Sequence, residues 1–145
     1  MLLPSKKTWK IVCVISTLTL MNMSHAIADV AVVVHPSNDA AFDKGTIKKI
    51  FLGKSKSYSN GRSAILISAN YSDPATEEFN SKVLGKSSSQ VKAYWSKILF
   101  TGKGTPPQEM DSNAAVISSI ASNPDAIGYL DASAVTGDVK VVATF

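Results

Sequence analysis

Five apolar residues in a row, Val30-Ala31-Val32-Val33-Val34, stand between Asp29 and the breaker cluster Pro36-Ser37-Asn38. A run this short, this uniform and this rich in β-branched side chains predicts a strand buried on both faces, ending at His35. Helical spacing follows from Thr46, where Ile47, Ile50 and Phe51 recur on one face and Gly53 supplies the left-handed residue that closes a short helix. A turn at Ser59-Asn60-Gly61 leads into a second apolar run, Ala64-Ile65-Leu66-Ile67-Ser68, read as a strand. Asp73 then suits a helix cap and Pro74 the first helical position; Phe79, Val83 and Leu84 form the buried stripe up to Gly85.

Ser87 or Ser88 caps the next helix, in which Val91, Tyr94, Trp95, Ile98 and Leu99 occupy one broad face while Lys92, Ser96 and Lys97 face water, before Gly102 closes it. The segment Thr105-Pro106-Pro107 cannot continue a helix. Asp111 or Ser112 caps another, with Val116, Ile117 and Ile120 inward, and Asn123-Pro124 ends it. Ala126-Ile127-Gly128-Tyr129-Leu130 and Val139-Lys140-Val141-Val142-Ala143 are the last strands, and Gly128 within its strand predicts close approach of another backbone. The order strand, helix, strand, three helices, strand, strand predicts one α/β domain over residues 29–145. Its sheet is small and mostly parallel, flanked by helices.

The first 28 residues change how the composition is read. Lys6, Lys7 and Lys10 precede an apolar stretch from Ile11 to Met21, followed by Ala26-Ile27-Ala28, the pattern of a secretory signal peptide cut after Ala28. The whole chain carries a net charge of +4, but all three of those lysines and none of the acidic residues lie in the leader. Twelve basic residues then face eleven acidic ones, a balance of +1 that offers no electrostatic footprint for nucleic acid. The one cysteine, Cys13, also lies in the leader, so no disulfide is expected in the periplasmic or secreted domain and the fold rests on its core.

Several chemistries fail on spacing. Gly-Lys-Ser occurs at residues 53–55 and 85–87, but a phosphate-binding Walker loop needs a further glycine five residues earlier, where Lys48 and Asn80 stand. Once His25 leaves with the leader, His35 is the remaining histidine, which excludes a multi-histidine zinc site. Glu77 and Glu78 are adjacent on a helix and point apart, while helix starts account for Asp73 and Asp111. The chain therefore reads as a non-enzyme with no metal and no cofactor. Binding in open α/β sheets falls at the carboxyl ends of parallel strands, which directs attention to His35-Pro36-Ser37-Asn38 and to Ser68–Thr76. The candidate ligand-binding residues are Ser37, Asn38, Ser68, Asn70, Ser72 and Thr76, at the second loop through amides that favour an anion, although Asp73 competes for the same amides.

Taken in order and spacing, several segments resemble the phosphate-binding components of ABC transporters, within the type 2 periplasmic binding protein superfamily and its short single-lobe members. They are Ile50-Phe51-Leu52-Gly53-Lys54, Phe79-Asn80-Ser81-Lys82-Val83-Leu84-Gly85-Lys86, Ala93-Tyr94-Trp95 with Phe100-Thr101-Gly102-Lys103-Gly104, and Asn123-Pro124-Asp125-Ala126-Ile127-Gly128-Tyr129. The resemblance implies phosphate or another small oxyanion as ligand and a membrane transporter as partner. It also implies that two-lobed relatives grip phosphate with an Arg-x-Asp-x-Ser-Gly-Thr segment. Anchored on Phe79, the arginine falls on Ala69, the aspartate on Tyr71 and Ser-Gly-Thr on Asp73-Pro74-Ala75, so none of those contacts carries over. The alternative is a non-catalytic interaction module that has lost the phosphate site and meets a protein partner or a second copy of itself.

Overall fold

All five residues of β1 (Val30–Val34) are buried, as the uniform run requires. The computed structural model describes residues 29–145; the expected leader, residues 1–28 with its cut after Ala28, lies outside the described residues. The elements that follow are α1 (Lys44–Phe51), β2 (Ile65–Ala69), α2 (Pro74–Phe79), α3 (Ser88–Phe100), β3 (Gln108–Met110), α4 (Asn113–Ala121), β4 (Ala126–Asp131) and β5 (Lys140–Thr144).

The described strands form one sheet in the order β3-β2-β4-β1-β5. β2 pairs in parallel with both β3 and β4, whereas β1 pairs antiparallel with both β4 and β5. Four strands thus share a direction and β1 runs against them. The result is the α/β architecture expected, with a sheet that is mostly parallel but mixed. Alternation along β1 divides the core. Val30, Val32 and Val34 join the α1, α2 and α3 side, and Ala31 and Val33 join Ile67 and the Val116, Ile117 and Ile120 stripe of α4 on the other. Gly128 lies between the layers, where a Cβ would stand 3.0 Å from the Ile67 carbonyl oxygen and 3.2 Å from Ile120 Cδ1. The close approach expected there is present.

Most helix starts follow the cap chemistry. Asp43 Oδ1 accepts from the Thr46 amide at 2.6 Å, so α1 begins two residues before Thr46. Ser87, rather than Ser88, caps α3 in a reciprocal box with Gln90, and Ser112, rather than Asp111, caps α4. Three features depart from expectation. A short strand, β3, interrupts the helical series, because Gln108-Glu109-Met110 is too brief and too polar for periodicity to show. The Asn80–Leu84 segment continues α2 as a π-turn that closes at Gly85, φ 67°. Leu99 is 57% exposed and Phe100 94%, so the inward face of α3 is narrower than its pattern implied.

Aromatic packing joins α1 and α2 to the sheet. Phe79 stacks on Tyr129 of β4 with ring centroids 4.0 Å apart and planes 9° apart, and it meets Phe51 edge-on at 4.8 Å. Gly53, at φ 68°, closes α1 with bonds from its own amide to Ile50 and from Lys54 to Lys49, which satisfies the last carbonyls. A Cβ on Gly53 would meet Trp95 Cη2 at 2.9 Å, so this turn also sets how closely α3 approaches.

Two stability measurements test this packing. Phe79→Ala removes a fully buried ring and is expected to cost about 3–5 kcal/mol in urea unfolding. Gly53→Ala adds a left-handed penalty of about 1–2 kcal/mol to a clash with Trp95, and is expected to lower the urea midpoint without changing the slope.

Candidate functional site

Strand β2 delivers the chain to the sheet's carboxyl end at Ala69, where Asn70 folds the next residues back on themselves. Its carboxamide oxygen accepts from the Ser72 amide at 2.9 Å and from the Ser72 hydroxyl at 2.8 Å. Its carbonyl accepts from the Asp73 amide at 2.9 Å and from Thr76 Oγ1 at 2.7 Å. Asp73 caps α2 as expected, with Oδ1 accepting from the Ala75 amide at 2.8 Å, while its carbonyl accepts from the Thr76 amide at 3.0 Å. The Tyr71 amide donates to Glu109 Oε1 at 3.2 Å, and Pro74 has no amide to offer. Every amide from Tyr71 to Thr76 therefore already has an acceptor within the chain.

Glu109 is the residue that the sequence reading missed. It stands on β3, opposite Ser68 in the register, and reaches the loop only through tertiary pairing. Partial burial, and after it the Glu109 carboxylate, pushes the Tyr71 phenol above its ordinary value. Lys92 of α3 sits 5.8 Å from the centre of the Tyr71 ring. Beneath the loop, Ser68 and Thr76 are buried at 7% and 1% exposure. Burial pushes the Tyr129 phenol up, and the neighbouring Thr76 and Ser68 hydroxyls act against that rise. The cavity that Ser68 shares with Tyr71, Asn80 and Tyr129 measures about 10 Å³, room for about one water and not for a tetrahedral oxyanion.

Ser37 and Asn38 lie elsewhere. Because β1 runs against its neighbours, Val34 pairs with Ile127 at the start of β4, and the loop after it sits at the amino ends of β2 and β4. The expectation that this loop shares the carboxyl end of parallel strands is corrected by that register. Ser37 Oγ is 2.7 Å from His35 Nδ1. Asn38 is buried, its Oδ1 accepting from the Ala40 amide at 3.0 Å and its carbonyl accepting from Lys140 Nζ at 3.0 Å. The structure thus brings Ser68, Asn70, Ser72 and Thr76 together and leaves Ser37 and Asn38 at the opposite end. Among the described residues no group of three or more His, Cys, Asp or Glu is placed to hold a metal ion, and no helix is long and apolar enough to cross a membrane.

No family model matches the sequence, and no curated protein matches it. Solved structures do. The chain is similar to an ABC-type phosphate transport receptor from Vibrio cholerae, with 16% identity and a TM-score of 0.62, over 80% of this chain and 46% of that one. It is also similar to a putative phosphate ABC transporter substrate-binding protein with bound phosphate from Clostridium perfringens, with 20% identity and a TM-score of 0.58, over 80% and 45%. A third likeness is to a possible phosphate binding protein from Planctomyces limnophilus, with 16% identity and a TM-score of 0.54, over 80% and 42%. The chain spans less than half the length of these solved proteins. At such identities the likeness is one of fold, and the fold is the one that the sequence resemblance implied.

The buried tyrosines give a signed pH prediction. Burial raises the phenols of Tyr58 and Tyr129, and to a lesser degree that of Tyr71, above the value of 10.0 expected when unfolded. Above that pH the unfolded chain loses protons that the folded chain keeps, so stability is fully present below pH 10 and is lost as the pH rises further. Urea unfolding between pH 8 and 12 is expected to show a plateau and then a decline that Tyr129→Phe makes shallower (pH range about the ordinary tyrosine value).

Proposed function

We propose that this chain is a non-catalytic, periplasmic or secreted solute-binding-like protein whose ligand is phosphate or a related oxyanion, and which serves a membrane transporter. The observation that carries the reading is the fold shared with phosphate-binding proteins of ABC transporters, one of them with phosphate bound. The leader pattern of residues 1–28 supports the location. The proposed site is the Ser68–Thr76 loop at the carboxyl end of β2, where an oxyanion would take amides now held by acceptors of the chain itself. Exchange at Tyr71 displaces the Glu109 carboxylate, and exchange at Ser72 displaces the Asn70 side chain. Both displacements cost binding energy, so affinity for phosphate is expected to be low.

That self-occupied loop also favours a second reading, an interaction module that meets a protein partner or a second copy through the same face. Calorimetry and thermal unfolding separate the two. Under the first reading millimolar phosphate raises the unfolding temperature, and Glu109→Gln, which removes a competing carboxylate, strengthens the effect. Equal action of sulfate marks a general oxyanion site. No heat and no stabilisation with either anion, in the parent and in Glu109→Gln alike, removes solute capture and leaves the interaction reading, which light scattering then examines as concentration-dependent dimerisation.

A further inference from the structure

A cavity of about 680 Å³ opens at the end of the sheet opposite the Asn70 loop, between the carboxyl ends of α1 and α3 and the beginnings of β2 and β3. Its origin is local. β3 pairs with β2 only from Ile67 onward, and Pro106 and Pro107, just before β3, have no amide with which to extend the ladder. The first residues of β2 therefore have no strand beside them on that side, and Ile65 stays 42% exposed. Gly104 keeps the opposite wall close, since a Cβ there would stand 3.2 Å from Ile98 Cγ2.

The lining combines two chemistries. Its apolar wall includes Leu66, Trp95, Ile98 and Pro106, and a space of this size is typical of small-molecule sites. Lys54, Lys56 and Lys103 also line it, each on an exposed residue, and no aspartate or glutamate does. None of the three lysines forms an ion pair among the described residues, where the pairs are Arg62 with Asp125 and Lys82 with Glu78. Lys54 and Lys103 each follow a glycine that ends a helix, and their amides donate to the Lys49 and Ile98 carbonyls, which fixes the backbone that carries each lysine. An apolar enclosure with three unpaired cations and no anion is complementary to an amphipathic anion.

We propose that this cavity binds a free amphipathic carboxylate, a fatty acid being the simplest form, with its apolar body against Trp95, Ile98 and Leu66 and its carboxylate among Lys54, Lys56 and Lys103. The site is separate from the Asn70 loop and does not depend on oxyanion binding there. The test titrates the purified protein with dodecanoate below its micelle-forming concentration, read by calorimetry and by tryptophan emission. Saturable binding is expected, with a change in emission, and dodecanol is expected to bind much more weakly. Charge reversal at the exposed positions, Lys54→Glu with Lys103→Glu, is expected to weaken binding by about tenfold or more while leaving the unfolding temperature without ligand unchanged. Absence of saturable binding, equal binding of dodecanol, or an unaffected double variant would overturn the proposal. Binding to phosphatidylglycerol vesicles in place of free dodecanoate would overturn it in favour of a membrane surface, and a dimer that blocks the titration would do so in favour of a second copy.

Discussion

The domain depends on a single strand placed against the grain of its sheet. β1 lies between β4 and β5 with every side chain buried, and alternate residues supply the two cores that hold the helices on either face. A slip of one residue would exchange Val30, Val32 and Val34 for Ala31 and Val33 and misfit both cores at once, so its register is strongly determined. The antiparallel direction then decides which loops can meet. The Asp29 carbonyl, at the start of β1, accepts from the Ala132 amide at 2.9 Å just past the end of β4, so the described chain begins at the sheet end that carries the Asn70 loop. The His35 loop is sent to the other end.

Aromatic stacking carries that order to the candidate site. Phe79 on Tyr129 locks α2 over β4, and Thr76, less than one turn earlier, is thereby held with its hydroxyl on the Asn70 carbonyl. The loop that results is closed on itself, since its donors are satisfied by Asn70, Asp73 and Glu109. A helix start that binds an oxyanion and one that is merely capped differ in who supplies the acceptors. Here the chain supplies them. At the opposite end the reverse holds: Pro106 and Pro107 stop a strand from pairing, and an open apolar cavity remains where a ladder would have been.

Features whose cause is local were legible in advance. The β-branched run of β1, the left-handed glycine after α1, the Asp73-Pro74 helix start and the constriction at Gly128 each follow from a few neighbouring residues, and each is present. Features whose cause is distant were not. Gln108-Glu109-Met110 is a strand only because β2 lies beside it, so neither the strand nor the Glu109 contact with Tyr71 leaves a trace in periodicity. Leu99 looked inward because hydrophobicity reports what a residue tolerates, whereas its exposure depends on what the rest of the chain places next to it.

By itself, then, the sequence determined the kinds and order of most elements, their caps and stops, and the Asp73-Pro74-Ala75 start of α2. Those are matters of short-range sterics, amide chemistry and periodicity. Tertiary structure alone decided that β1 runs backwards, that Ser37 and Asn38 stand apart from Ser68, Asn70, Ser72 and Thr76, and that a glutamate from β3 occupies an amide beside them. The physical reason is that strand direction and register are settled by simultaneous burial of two faces against residues far along the chain, a condition that no local window of sequence contains.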